Sequence, residues 1–134
     1  MNRRTIFFAL GLPALAALTF TVAACGGGGG SSTPAPTVPV GALPVIAGPG
    51  LVLDKGEYSI AATAGQVTIA YVQHDTQRHT LVVRDANGVI QGTKLEIIKN
   101  GDISVGTFAL APGSYTVNCD VPGHGPMKAK LIVT

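Results

Sequence analysis

The sequence predicts an all-β domain, a Greek-key β-sandwich or barrel of seven or eight strands. From Leu51 to Thr134, short runs alternate apolar with small or polar side chains, as half-buried strands do. Turn pairs such as Asn87-Gly88, Asn100-Gly101 and Pro112-Gly113 separate these runs. Beyond the N-terminal segment, no stretch repeats apolar side chains at helical spacing. Strands of this number in about eighty-five residues can close only as a sandwich or a small barrel.

Seven runs are typical of strands. In chain order they are Tyr58–Ile60, Val67–Tyr71, His79–Arg84, Lys94–Ile98, Ile103–Leu110, Ser114–Cys119 and Lys128–Thr134. In the sixth run Tyr115, Val117 and Cys119 share one face, because side chains alternate along a strand. Cys119 is therefore predicted to face the core at the last position of its strand. The proline- and glycine-rich residues 121–126 cannot continue that strand and predict a tight loop.

The first 24 residues have the composition of an export signal. Arg3 and Arg4 precede a mostly apolar run from Ile6 to Val22, and small residues lead to Cys25. The stretch Val22-Ala23-Ala24-Cys25 resembles a bacterial lipoprotein cleavage box, which implies that Cys25 becomes the lipidated first residue of the mature protein. An uncleaved membrane anchor is the alternative. Either way the positive N-terminus predicts an extracytoplasmic domain, in the periplasm or on the outer face of the cell membrane.

Residues 25–50 are predicted to link the lipidated cysteine to the domain, which is expected to span residues 51–134. Glycine and serine dominate the start of this linker, and five prolines extend its remainder. Its composition is typical of a flexible tether.

The charge balance argues against a nucleic-acid partner. The chain has nine basic and seven acidic side chains, and Arg3 and Arg4 belong to the predicted signal. Seven of each sign remain, without a basic cluster. We therefore expect no nucleic-acid binding.

Cys119 is the only cysteine of the predicted domain. An unpaired thiol in an exported protein has three candidate roles: a nucleophile, a buried inert residue or a metal ligand. A nucleophilic cysteine favours a helix N-terminus or a nearby imidazolium, and no helix is predicted after Cys119. Metal binding is therefore favoured over catalysis.

The neighbouring residues suggest which metal. His124 and Met127 follow Cys119 within the same loop. Thiolate and imidazole suit zinc and copper, whereas a thioether is a soft donor better suited to copper. Two histidines and a cysteine with a weak axial methionine form the blue-copper pattern, so a second histidine must come from elsewhere in the chain.

Here the sequence resembles the cupredoxins, through the stretches HTLVV at residues 79–83 and YTVNCDVPGHGPM at residues 115–127. The resemblance implies that His79 is the second histidine ligand, beside Cys119, His124 and Met127. It also implies that Thr80 hydrogen-bonds to the cysteine loop, although an ordinary strand threonine is an equal alternative. Only two residues separate His124 from Met127, whereas many relatives have four. The loop has no second cysteine, which indicates one copper per domain.

A site closed by four protein ligands leaves no open position for a substrate. The sequence therefore predicts a one-electron carrier rather than an enzyme, one that docks transiently with redox partners near His124 and is held at a membrane through Cys25. Two alternatives remain: a copper storage or delivery protein, and a metal-free cupredoxin-like binding domain.

Overall fold

The computed structural model describes residues 34–134, so the predicted signal and Cys25 lie outside the described residues. This part of the chain forms nine strands: β1 (Leu43–Gly48), β2 (Val52–Leu53), β3 (Glu57–Ile60), β4 (Gln66–Gln73), β5 (His79–Arg84), β6 (Ile90–Ile97), β7 (Ile103–Ala109), β8 (Gly113–Asn118) and β9 (Lys128–Val133). Within it, no helix has the length and apolar character required to cross a membrane.

The strands form two sheets that pack face to face. One sheet has the order β2-β1-β4-β7, and the other has the order β3-β9-β8-β5-β6. Their inward side chains share one apolar core, with Tyr71, Phe108 and Leu131 among its largest members. The predicted all-β sandwich is therefore confirmed, with nine strands in place of seven or eight.

Strand β1 lies inside residues 25–50, the stretch predicted as linker. This strand pairs in parallel with β4 from Leu43 to Ala47 and buries Val45 and Ala47. Pro44 is tolerated because β2 pairs only with the last two residues of β1, which leaves the strand unpaired on that side at Pro44. The sandwich formed by residues 34–134 therefore includes Leu43–Gly48 as well as the strands that follow residue 51.

Strand β6 begins four residues earlier than the pattern predicts. Its first residues are exposed and mostly polar, and its pairing with β5 is irregular between Leu81 and Val83. Gly92 sits at this irregular part with a φ of 66°, and a Cβ there would lie 2.7 Å from Phe108. The residue must therefore be glycine for both conformational and steric reasons.

The pairing of β5 with β8 positions the predicted ligands. The two strands are antiparallel, with Val82 opposite Asn118 and Val83 opposite Val117. The start of β5 and the end of β8 therefore lie at the same end of the sheet. His79 and Cys119 become neighbours at that end.

Candidate metal centre

Three buried donor atoms meet at this end of the sandwich. The Nδ1 atoms of His79 and His124 lie 3.1 Å apart, and Cys119 Sγ lies 3.6 Å from His124 Nδ1. All three donor atoms fall within 4.8 Å of one another. Each residue is buried, and His124, the most accessible, is 8% exposed. The predicted convergence of His79 with the cysteine loop is therefore present, and these residues are positioned to form a metal site.

Backbone hydrogen bonds fold the loop that follows β8. The N–H of Cys119 donates to the carbonyl of Met127 at 2.9 Å, and the N–H of Met127 donates to the carbonyl of His124 at 2.9 Å. A further turn is closed by the N–H of His124, which donates to the carbonyl of Val121 at 3.1 Å. Gly123 lies within this turn and has a φ of 89°. These bonds turn His124 back over Cys119. Met127 is fully buried in the core cluster, and its role as axial ligand stays a prediction.

The spacing of the donor atoms fits a late first-row metal ion. Typical bonds are about 2.0–2.1 Å to nitrogen and about 2.3 Å to sulfur, as zinc forms them. With such bonds, two nitrogens 3.1 Å apart would both reach one ion. A sulfur 3.6 Å from one of these nitrogens would reach the same ion. One thiolate and two imidazoles in this arrangement suit copper and zinc.

Thr80 joins the start of β5 to the cysteine loop. Its hydroxyl donates to Asp120 Oδ1 at 2.6 Å, and the N–H of Asp120 donates back to the same hydroxyl at 3.1 Å. The N–H of Thr80 also donates to Cys119 Sγ at 3.4 Å. A hydrogen bond to sulfur stabilises a thiolate, and the paired bonds hold the two ligand-bearing segments together. This is the role that the sequence resemblance implies for Thr80.

Asp120 carries a charge next to the sulfur. Its second carboxylate oxygen forms an ion pair with Lys94 of β6. The ammonium of Lys94 and the hydroxyl of Thr80 hold the pKa of Asp120 below its usual value. Asp120 is therefore ionised at neutral pH, and Lys94 offsets part of its charge.

Asp75 contacts the other face of the site. Its Oδ2 lies 3.1 Å from His79 Nε2, the ring nitrogen that points away from the other donor atoms. The backbone N–H of Thr76 and the imidazole of His79 hold the pKa of Asp75 below its usual value. Asp75 is thus an ionised carboxylate that touches a predicted ligand.

Sequence reasoning missed Asp75 and Asp120 as parts of the site. Both are isolated carboxylates in the sequence, without the paired pattern of acid–base catalysis. Only their positions in the sequence could have indicated a role at the site: Asp120 directly follows Cys119, and Asp75 precedes His79 by four residues. His74, by contrast, is exposed and is absent from the metal-ligand group found among the described residues.

Tyr71 is a buried polar residue in the core beneath the site. Its side chain is fully buried, and its hydroxyl finds no hydrogen-bond partner within residues 34–134. Burial raises the pKa of this phenol. The hydroxyl therefore stays protonated at neutral pH.

Comparison with known proteins finds similarity at the level of structure. No protein-family model and no curated protein sequence matches the chain. Auracyanin A, a "blue" copper protein from Chloroflexus aurantiacus, superposes with a TM-score of 0.58 and 23% identity, covering 69% of this chain and 98% of auracyanin A. Auracyanin from Roseiflexus castenholzii gives 0.59 and 21%, covering 70% and 97%. An azurin from Methylomonas sp. strain J gives 0.58 and 18%, covering 72% and 99%.

These proteins are almost fully covered by the superposition. The similarity is one of fold, and it agrees with the sequence resemblance at residues 79–83 and 115–127. The described domain has the cupredoxin fold, with His79, Cys119 and His124 gathered at one end of it.

Proposed function

We propose that this protein is a mononuclear type 1 copper protein that carries single electrons outside the cytoplasm. One observation carries the proposal: two histidine Nδ1 atoms and one cysteine Sγ converge, buried, at one end of a cupredoxin fold. That donor set with a weak axial thioether is the ligand set of blue-copper electron-transfer sites. The description of auracyanin A as a blue copper protein supports the choice of metal.

His79, Cys119 and His124 are the proposed strong ligands, and Met127 is the proposed axial ligand. One copper ion is proposed because the loop offers a single thiolate. When bound, copper supplies a centre that alternates between one and two positive charges. The chain's contribution is to hold the ligands nearly fixed, so that little rearrangement opposes the change of charge.

The hydrogen bonds around the site support that rigidity. Thr80 links β5 to the cysteine loop through its hydroxyl and its N–H. The backbone bonds between Cys119, His124 and Met127 fix the loop itself. Burial of all four side chains excludes water from the donor atoms. These features favour charge transfer without bond making, and we propose a carrier rather than an enzyme.

His124 is the proposed route for the electron to and from partners. It is the most accessible of the ligands, and the exposed residues Pro122 and Pro126 flank it in the loop, with Val121 partly exposed. A small apolar surface of this kind suits brief encounters with redox partners. The balanced side-chain charge of the domain predicts weak dependence of docking on salt.

The location is proposed from the N-terminal sequence. Residues 1–24 act as a lipoprotein-type signal, Cys25 carries the lipid, and the following Gly/Ser/Pro-rich residues tether the domain to a membrane. Mass spectrometry of the mature N-terminus tests this part separately. A mature chain that begins at a lipid-modified Cys25 supports it, and an intact signal contradicts it.

The visible spectrum of the copper-loaded, full-length protein tests the proposed function. We expect an intense red-region band from thiolate-to-Cu(II) charge transfer, together with reversible voltammetry. Cys119→Ser abolishes the band, since the absorption arises from this thiolate. Cys25→Ser is the matched control, because it removes the only other cysteine of the chain and leaves the band intact. A band retained in Cys119→Ser contradicts the ligand assignment.

Two other results point to different functions. Tight Cu(I) binding without a stable oxidised form indicates copper storage or delivery. Failure to take up copper at all indicates a metal-free binding domain with the cupredoxin fold.

A further inference from the structure

We propose that Asp75 is a positioning residue of the metal centre, which fixes the tautomer and orientation of His79 and lowers the reduction potential. This inference rests on the proposed function. Asp75 Oδ2 lies 3.1 Å from His79 Nε2, and His79 is fully buried. The contact is on the side of the ring away from the shared ligand centre.

The chemistry of the contact decides which nitrogen carries the proton. An ionised carboxylate can only accept a hydrogen bond, so His79 Nε2 must be the donor. In a neutral imidazole the other nitrogen, Nδ1, then has its lone pair free. His79 Nδ1 is the atom that faces His124 and Cys119. Asp75 therefore selects the tautomer that can bind a metal ion with the correct atom.

Asp75 is itself held in place by its own loop. Its Oδ1 accepts the N–H of Thr76 at 2.6 Å, and its N–H donates to the side-chain carbonyl of Gln73 at 3.3 Å. Gln73 is fully buried, and its amide nitrogen donates to the carbonyl of Gln77. The buried glutamine thus braces both sides of the turn between β4 and β5. A carboxylate supported in this way holds an imidazole more firmly than a solvent-exposed one.

The negative charge of Asp75 acts on the metal through the imidazole. Within residues 34–134, no lysine or arginine is paired with Asp75, whereas the other carboxylate at the site, Asp120, is paired with Lys94. A carboxylate that accepts from a ligand imidazole makes that ligand more basic. A more basic ligand and a nearby negative charge stabilise the higher oxidation state of the ion. Asp75 should therefore lower the reduction potential and strengthen metal binding.

Two substitutions separate the hydrogen bond from the charge. Asp75→Asn removes the charge and keeps an oxygen acceptor for His79 Nε2–H, whereas Asp75→Ala removes both. Asp85→Asn is the matched control, because it makes the same charge change at the far end of β5, about 20 Å from His79 at the usual rise per strand residue. Asp85 caps the turn that follows β5, a place where asparagine is also favoured.

The first readout is Zn²⁺ affinity of the full-length protein, measured by competition with a chelator. Loss of an outer partner of a histidine ligand typically costs about 10–100-fold in metal affinity, and we expect a loss in that range for Asp75→Ala. The control should stay within about twofold of the wild type, as surface substitutions do. NMR of the zinc-loaded protein gives a second, direct readout. We expect a slowly exchanging His79 Nε2–H in the wild type and Asp75→Asn, and rapid exchange in Asp75→Ala.

The third readout is the reduction potential of the copper-loaded protein. If removal of the charge weakens binding of the oxidised ion tenfold more than that of the reduced ion, the potential rises by about 59 mV. Asp75→Asn and Asp75→Ala should both show a rise, and Asp85→Asn should not. A purely structural role for Asp75 would leave the potential of Asp75→Asn at that of the control.

The inference is overturned if Asp75→Ala matches Asp85→Asn in Zn²⁺ affinity and in His79 Nε2–H exchange. These two readouts do not need copper, so they decide the role of Asp75 even where the wild type forms no coloured copper site. A wild type without that colour contradicts the proposed function alone.

Discussion

Replacement of Thr80 by valine tests how strongly the two ligand-bearing segments are joined. The substitution keeps the shape of the side chain and removes its hydroxyl. Thr80 is buried, with 2% of its surface exposed. Two hydrogen bonds with Asp120 are lost: one donated to its carboxylate at 2.6 Å and one accepted from its N–H at 3.1 Å. A longer contact of the hydroxyl with Cys119 Sγ, at 3.5 Å, is lost with them. The N–H bond from Thr80 to Cys119 Sγ stays, because it is a backbone bond.

The expected cost follows from the type of each bond. A hydrogen bond to a charged group contributes about 1.5–3 kcal/mol and a neutral one about 0.5–1.5 kcal/mol. Their loss lowers the free energy of unfolding by roughly 2–4 kcal/mol. With a urea m value of about 1–3 kcal/mol/M, the unfolding midpoint falls by about 1 M or more.

Urea unfolding of metal-free protein, followed by circular dichroism, measures this change without any contribution from a bound ion. Thr107→Val is the matched control: its hydroxyl lies 3.2 Å from that of Thr68 on the exposed face of a strand pair, so its loss should cost no more than about 0.5 kcal/mol. Thr80→Ser keeps the hydroxyl and should recover most of the stability. Equal midpoints for the valine variants at residues 80 and 107 would refute the reasoning.

Three other predictions concern the core, the axial position and pH. Met127→Leu should retain copper and colour while raising the reduction potential, because only a weak axial donor is lost; complete loss of copper would show that Met127 is a strong ligand. Tyr71→Phe should raise the free energy of unfolding by about 1 kcal/mol, since it removes a buried hydroxyl that has no partner in the described part of the chain; a lower melting temperature would contradict this. The N–H groups of Lys99 and Ile98 hold the pKa of Asp102 below its ordinary value of 3.8. Its contribution to stability is therefore complete above that value and is lost as pH falls through the lower pKa of the folded state. Urea midpoints should fall over this acidic range, less steeply in Asp102→Asn, and equal slopes would be the contrary result.

The parts of the fold that the sequence predicts well depend on local chemistry. Strand β5 runs from His79 to Arg84, as its pattern predicts. The loop from Cys119 to Met127 is also local, because proline and glycine end the strand and force a turn. Its ligands could therefore be proposed from the spacing of a few residues.

The parts that the sequence did not predict depend on how neighbouring and distant segments pack against one another. Strand β1 was not predicted because Pro44 is typical of a linker. The structure shows that β2 pairs only with the end of β1, so that one side of the strand is free at Pro44. The contact of Asp75 with His79 depends on how buried Gln73 braces the intervening turn. The resemblance implies a bond from Thr80 to the cysteine loop, but its acceptor, Asp120, is identified only by the pairing of β5 with β8. None of these relations follows from the residue pattern alone.

The direction of β1 determines where the proposed tether joins the sandwich. The strand starts at Leu43, opposite Ile69, and ends where Ala47 meets Gln73 and accepts the N–H of His74, beside the turn that contains Asp75. The chain thus enters the sandwich about 13–17 Å from the end that holds His79, Cys119 and His124, at the usual rise per strand residue. An anchor upstream of β1, as proposed for Cys25, would therefore act on the sheet near the middle of β4 and away from His79, Cys119 and His124.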